Sequence, residues 1–257
     1  MIKEVKSEDF NVIKHIIEKT DIARNYFILL GLSGNKAVYD KVFGEYEDGE
    51  LKAALFIRKS GLLQFFTLDE FDLDGFIEII NSMKNNRMIG PKLYCDKFFN
   101  SGTFSIVLEG AYIAKLDKSC KLDYNGELNI IRSINTEDLD EIVDLYKNVF
   151  DSFSPKNVME QKLLTNRGIG VCIEINKKII SIAQSDFETD GSALIVGVAT
   201  EKKYRKQGLA TLCTKYLSCL LQNEGKDVYL QYDNLQAGKI YERLGYKVID
   251  RVIHYSK

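Results

Sequence analysis

Histidine is scarce in this chain of 257 residues: only His15 and His254 occur, far apart in sequence. Zinc sites draw on clustered His and Cys ligands, so no metal is expected. Five cysteines, at positions 95, 120, 172, 213 and 219, form no C-x-x-C pair. Their odd number and scatter point to reduced thiols and a cytoplasmic location. No apolar run approaches the roughly 20 residues that cross a bilayer, and the polar start Met1-Ile2-Lys3-Glu4 shows no leader core. No membrane contact is therefore expected. Thirty-five Lys and Arg against 37 Asp and Glu give a net charge of −2. That balance gives no general attraction to nucleic acid. With 45% hydrophobic and 28% charged residues, the chain reads as globular. At roughly 150 residues per domain, its length suggests two domains.

What is present is a phosphate-binding pattern. The apolar run Ala193-Leu194-Ile195-Val196-Gly197-Val198-Ala199 precedes Arg205-Lys206-Gln207-Gly208-Leu209-Ala210. A helical pattern follows, with Leu209, Leu212, Cys213, Tyr216, Leu217 and Leu220 on one face. Strand, basic turn with glycine, then helix is an anion cradle. The first helical amides have no intrahelical partner and sit at the positive end of the helix dipole. Gly208 lets an anion approach the backbone, while Arg205 and Lys206 add charge. The spacing matches neither G-x-x-x-x-G-K-[ST] nor G-x-G-x-x-G, which disfavours P-loop and dinucleotide folds.

The spacing is instead [QR]-x-x-G-x-[GA], and with the preceding run through Thr200 to Arg205 it resembles the GNAT acetyltransferase superfamily. Downstream, Asn234, Ala237, Tyr241, Gly245 and Tyr246 resemble that family's N-x-x-A-x-x-x-Y-x-x-x-G-[FY] signature. The resemblance implies an N-acetyltransferase that moves an acetyl group from acetyl-CoA to an amine of a small molecule or peptide. It implies that the amides from Lys206 through Gln207, Gly208 and Leu209 to Ala210 hold the CoA pyrophosphate, with Thr211 adding a hydroxyl. It places the pantetheine arm along Val198, Ala199 and Thr200. A strand amide near Gly197 would face the thioester oxygen. Asn234 would bond the arm, and Ala237 would admit it. Tyr241 would stand near the sulfur as the catalytic acid. Asn234, Ala237 and Tyr241, spaced i, i+3, i+7, share one helix face. Asp186, Glu188, Gln231 and Asp233 read as solvated strand ends, and none is assigned as the base. The alternative is a non-enzymatic CoA-binding sensor or regulatory module. A longer acyl donor also stays open.

Charged and turn-forming residues over 115–126 suggest a boundary, giving domains 1–122 and 123–257. In the second, a strand is expected at 128–132 and a helix from an N-cap at Thr136 to about Phe150. A second helix should run from Pro155 to about Thr165. A hairpin, 170–175 and 179–186, should turn at Asn176-Lys177-Lys178. Strands at 193–200, 228–232 and 246–255 should alternate with helices from Leu209 and Asn234. That order is also the order of the GNAT fold: α/β, a mixed central sheet flanked by helices. The first domain is patterned more loosely. Strands are expected at 51–58, 62–67, 104–108 and 111–116, with a helix starting near Asp72. It resembles a second, degenerate GNAT-like copy without the pyrophosphate loop. Residues 87–92, Arg87-Met88-Ile89-Gly90-Pro91-Lys92, begin as R-x-x-G and then fail, because Pro91 has no amide to donate. A loop or short strand is expected there. The oligomeric state is not legible.

Overall fold

A computed structural model of the chain describes residues 1–33, 38–84, 87–122 and 130–257. Part of the expected boundary segment and the start of the expected strand at 128 lie outside them. The described residues divide into two compact units, one of Met1–Ile113 with Val248–Lys257 and one of Ala114–Lys247.

The first unit contains β1 (Ile2–Glu4), α1 (Phe10–Glu18), α2 (Tyr26–Ser33), β2 (Tyr39–Glu47), β3 (Glu50–Arg58), β4 (Leu62–Thr67), α3 (Leu73–Asn81), β5 (Arg87–Pro91), α4 (Lys92–Asn100) and most of β6 (Ile106–Leu116). Strands β1 to β4 form an antiparallel meander. Strand β5 then joins β4 in parallel. Strand β6 is continuous where two strands were expected, and Gly110 does not interrupt it. The core of this unit is aromatic: Phe65, Phe76, Phe98 and Phe104 are each at most 1% exposed.

The second unit contains β7 (Ile131–Ser133), α5 (Leu139–Lys147), α6 (Lys156–Leu164), β8 (Gly170–Ile175), β9 (Lys178–Asp186), β10 (Ser192–Thr200), α7 (Leu209–Asn223), β11 (Asp227–Tyr232), α8 (Leu235–Arg243) and the start of β12 (Tyr246–Ser256). Strands β7 to β10 again form an antiparallel meander, and β11 joins β10 in parallel. The order is thus the same twice along the chain: β-α-α-β-β-β-α-β-α-β. The N-cap of the segment leading into α5 is Asn135 rather than Thr136. Asn135 Oδ1 accepts from the Glu137 amide at 2.8 Å while Asp138 accepts from the Asn135 amide, a reciprocal box that leaves Thr136 inside a short 3-10 turn. The β8–β9 hairpin turns on Asn176 and Lys177, both at positive φ, so Lys178 already belongs to β9.

Residues 248–257, expected with the second domain, group with the first. Val252 to Ser256 pair antiparallel with β5. Arg24 Nε donates to Asp250 at 2.7 Å, and Tyr255 donates to Asp96 at 2.6 Å.

Candidate active site

The site begins where the β10 ladder breaks. Val196 faces Gln184 and Ala199 faces Ile182, so the register with β9 shifts and leaves Gly197 and Val198 without partners. This is a bulge, and Gly197 sits there at φ +60°. On the other side, the parallel register with β11 runs from Ser192↔Asp227 to Ile195↔Leu230 and ends just before the bulge. Residues Val196 to Thr200 therefore have no register partner in β11. Tyr146 of α5 donates to the Gly197 carbonyl at 2.8 Å and accepts from Gln184 Nε2 at 2.7 Å. Neither Tyr146 nor Gln184 was singled out from sequence.

Beyond Thr200 the chain turns through Arg205-Lys206-Gln207-Gly208, all exposed. Arg205 Nε donates to the Thr200 carbonyl at 3.1 Å, so this side chain ties the loop to the strand end. The Thr200 and Ser181 hydroxyls are 2.8 Å apart. Gly208 is the N-cap of α7 at φ +80°, a left-handed conformation that glycine tolerates best. A Cβ built there would meet nothing within 4 Å, so the backbone is openly approachable. The first helical bond runs from the Leu212 amide to the Gly208 carbonyl at 3.0 Å. The amides of Leu209, Ala210 and Thr211 precede it, and α7 has no acidic residue in its first turn.

Helix α8 supplies the third wall. Asn234 is its N-cap, accepting from the Gln236 amide at 2.9 Å and the Ala237 amide at 3.4 Å. Val198, Leu209, Leu212, Tyr232 and Ala237 pack against one apolar cluster that includes Tyr241. Ala199 belongs to the opposite face, in a cluster with Leu139, Ile142 and Tyr146. The Tyr241 ring lies 5.4 Å from Tyr232 and 6.1 Å from Tyr246. Burial, with a smaller contribution from Tyr232, pushes the Tyr241 phenol up to about 12. Tyr241 thus stays protonated across working pH.

Of the strand-end carboxylates, Asp233 is exposed as expected, whereas Asp186 and Glu188 are not. Asp186 is buried and 3.3 Å from Lys162. Glu188 lies 2.6 Å from Lys226 and also accepts from the Ile169 amide and the Ser185 hydroxyl. Asp186 pairs with Leu194, near the start of β10 and away from Thr200. Asp186 and Glu188 are engaged in ion pairs rather than solvated.

The first unit shows the same elements without this chemistry. The β3–β4 register from Ala53↔Thr67 to Ile57↔Leu63 has no shift. Helix α3 is capped by Asp72, whose carboxylate accepts from the Gly75 amide at 3.0 Å, while the Asp72 amide donates to Glu45 at 3.0 Å. Carboxylates thus occupy the end that α7 leaves open. Residues 87–92 are not a failed copy of the loop. Arg87–Pro91 is β5, the counterpart by order of β11, and the counterpart by order of the loop 201–208 is the acidic stretch 68–72. Pro91 caps α4, where α8 has Asn234. Seven residues on stands Phe98, where α8 has Tyr241. Phe98 lies 4.9 Å from Phe65 and stacks at 5.8 Å on Phe71.

Residues 82–255 match the model of the GNAT acetyltransferase family. No curated relative matches the chain by sequence. Among solved structures, a GNAT-family acetyltransferase from Colwellia psychrerythraea is similar at TM-score 0.71 and 15% identity, covering 100% of this chain and 99% of its own. A GCN5-related N-acetyltransferase from Sphaerobacter thermophilus gives TM-score 0.64 and 13% identity, with 100% and 95% covered. A tandem GNAT protein from the clavulanic acid biosynthesis pathway gives TM-score 0.61 and 11% identity, with 100% and 98% covered.

Proposed function

Because the chain belongs to the GNAT acetyltransferase family, we propose that its second unit binds acetyl-CoA and transfers the acetyl group to an amine of a small molecule or peptide. The observation that carries this reading is the bulge at Gly197 and Val198 lying in the same strand–loop–helix as the open N-terminus of α7. Acetyl-CoA supplies an activated thioester; the protein's residues hold it and manage charge. The amides from Lys206 to Ala210, with the Thr211 hydroxyl, hold the pyrophosphate at the positive helix end. Val198, Ala199 and Thr200 offer strand backbone to the pantetheine arm, and Asn234 and Ala237 flank it. The Val198 amide donates to the thioester oxygen as negative charge builds there. Tyr241 gives its proton to the departing sulfur. No residue is assigned as the base.

The first unit is read as a degenerate copy that holds no cofactor. Asp72 already occupies the α3 end, and Phe65, Phe71 and Phe98 pack where the second unit has its bulged strand and Tyr241. Calorimetry with acetyl-CoA and the full chain tests both readings. One site per chain is the expected result. No binding at millimolar cofactor would sink the reading of the second unit, and two equivalent sites would sink that of the first.

The ion pairs of Asp186 and Glu188 favour keeping a second reading, a CoA-binding regulatory module. Release of CoA thiol with a panel of amines separates the two, because a module would bind and release nothing.

A further inference from the structure

We propose that Tyr146 is a positioning residue for acyl transfer: its hydroxyl, held by Gln184, sets the direction of the Val198 amide. The proposal rests on the reading above, in which that amide meets the thioester oxygen.

Gly197 and Val198 are the two residues of β10 that the register with β9 skips. The regular pairing with β9 therefore skips the peptide that joins them. Tyr146 holds it. Its hydroxyl donates to the Gly197 carbonyl at 2.8 Å and accepts from Gln184 Nε2 at 2.7 Å. Both side chains are 3% exposed, so water competes little for either bond. Burial also pushes the phenol well above its usual value, which keeps it a donor. The peptide is trans, and in a planar trans peptide the C=O and the following N–H point in opposite directions. Pinning the Gly197 carbonyl toward Tyr146 thus aims the Val198 N–H away from α5. The Val198 side chain packs on the cluster that contains Tyr241.

The fit is close. A Cβ at position 197 would overlap the Tyr146 hydroxyl. The ring itself is wedged edge-on between Phe150 at 5.1 Å and Phe153 at 5.5 Å. The hydroxyl therefore has little freedom to follow a wandering carbonyl, and the carbonyl follows it.

An ordinary core hydrogen bond would cost stability when removed but would not steer an amide. The infrared band of the thioester carbonyl distinguishes the two. Acetyl-CoA carrying 13C in its acetyl carbonyl is bound to the full chain. An amide aimed at that oxygen lowers the stretching frequency relative to free acetyl-CoA. In Tyr146→Phe, at least half of that shift should be lost, while acetyl-CoA affinity stays within about twofold, since the phosphate loop is untouched. If Tyr146→Phe no longer folds, Gln184→Met gives the same reading through the weakened hold on the hydroxyl. A full shift in a folded variant overturns the proposal. Tight binding with no shift in the unaltered protein overturns the role of the Val198 amide, and this proposal with it. Absence of binding overturns the acetyl-CoA reading instead.

Discussion

Tyr241 is chemically the most exacting of the proposed site residues. A phenol raised to about 12 is a weaker acid than a thiol, whose pKa is about 8.5, so its positioning has to offset an uphill proton transfer to the departing sulfur. Tyr241→Phe keeps the ring and its packing on Tyr232 and Tyr246. It should lower kcat by about 10²-fold or more while leaving acetyl-CoA affinity within about twofold. Equal turnover of the two proteins would remove Tyr241 from the acid role. The same shift makes a claim about stability. Burial pushes the phenols of Tyr241 and Tyr94 up from 10.0 to about 12 in the folded chain. Below pH 10 both states keep the proton. Between pH 10 and 12 the unfolded chain releases it and the folded chain does not, so stability falls as pH rises. Each such tyrosine contributes about 1.4 kcal/mol per pH unit at most. Urea unfolding at pH 9, 10 and 11 should show this decline, and Tyr241→Phe should make it shallower.

At the scale of elements, the N-terminus of α8 separates capping from binding. Asn234→Ala should cost about 1 kcal/mol in stability, because the Gln236 and Ala237 amides lose their acceptor. Asn234→Asp keeps that acceptor and its stability but removes the amide donor. If Asn234 also bonds the pantetheine arm, calorimetry should show weaker acetyl-CoA binding in both variants, and unchanged affinity in Asn234→Asp would leave it a cap alone. The pieces legible in the sequence were those whose signals are local. Strand β8 runs over Gly170–Ile175, where the hairpin turn at 176–178 puts it, and α8 starts after its cap. Helix α2 was invisible because Tyr26 to Leu32 is apolar on every side, which leaves no 3.6-residue stripe. A glycine inside a strand hints at a bulge, but Tyr146 is 51 positions away from Gly197 in sequence. Its spacing from Ile142 and Leu145 says only that it faces a core. The acidic counterpart of the loop 201–208 is hidden in the sequence for a related reason. Equivalence between 68–72 and 201–208 rests on the order of strands and helices, since the residues themselves are opposite in charge.

For the whole molecule, the chain's last ten residues matter most. The second unit's core ends at Tyr246, whereas Ile253 and Tyr255, at 2% and 0% exposed, serve the first. Burying each such side chain stabilises by about 1.5–3 kcal/mol, and β5 has no other antiparallel partner recorded among the described residues. A fragment of residues 114–257 would carry Ile253 and Tyr255 on a strand that has lost β5, an open edge of the kind that aggregates. Residues 114–247 omit that strand and retain the second unit's clusters. The shorter fragment should therefore be the more soluble of the two, although it is the smaller. In the full chain, deleting 248–257 should remove hydrogen-exchange protection from β4, β5 and α4 before it touches β9 and β10. Protection lost first in β9 and β10 would mean that the C-terminal strand serves the second unit after all, as the sequence pattern alone suggests.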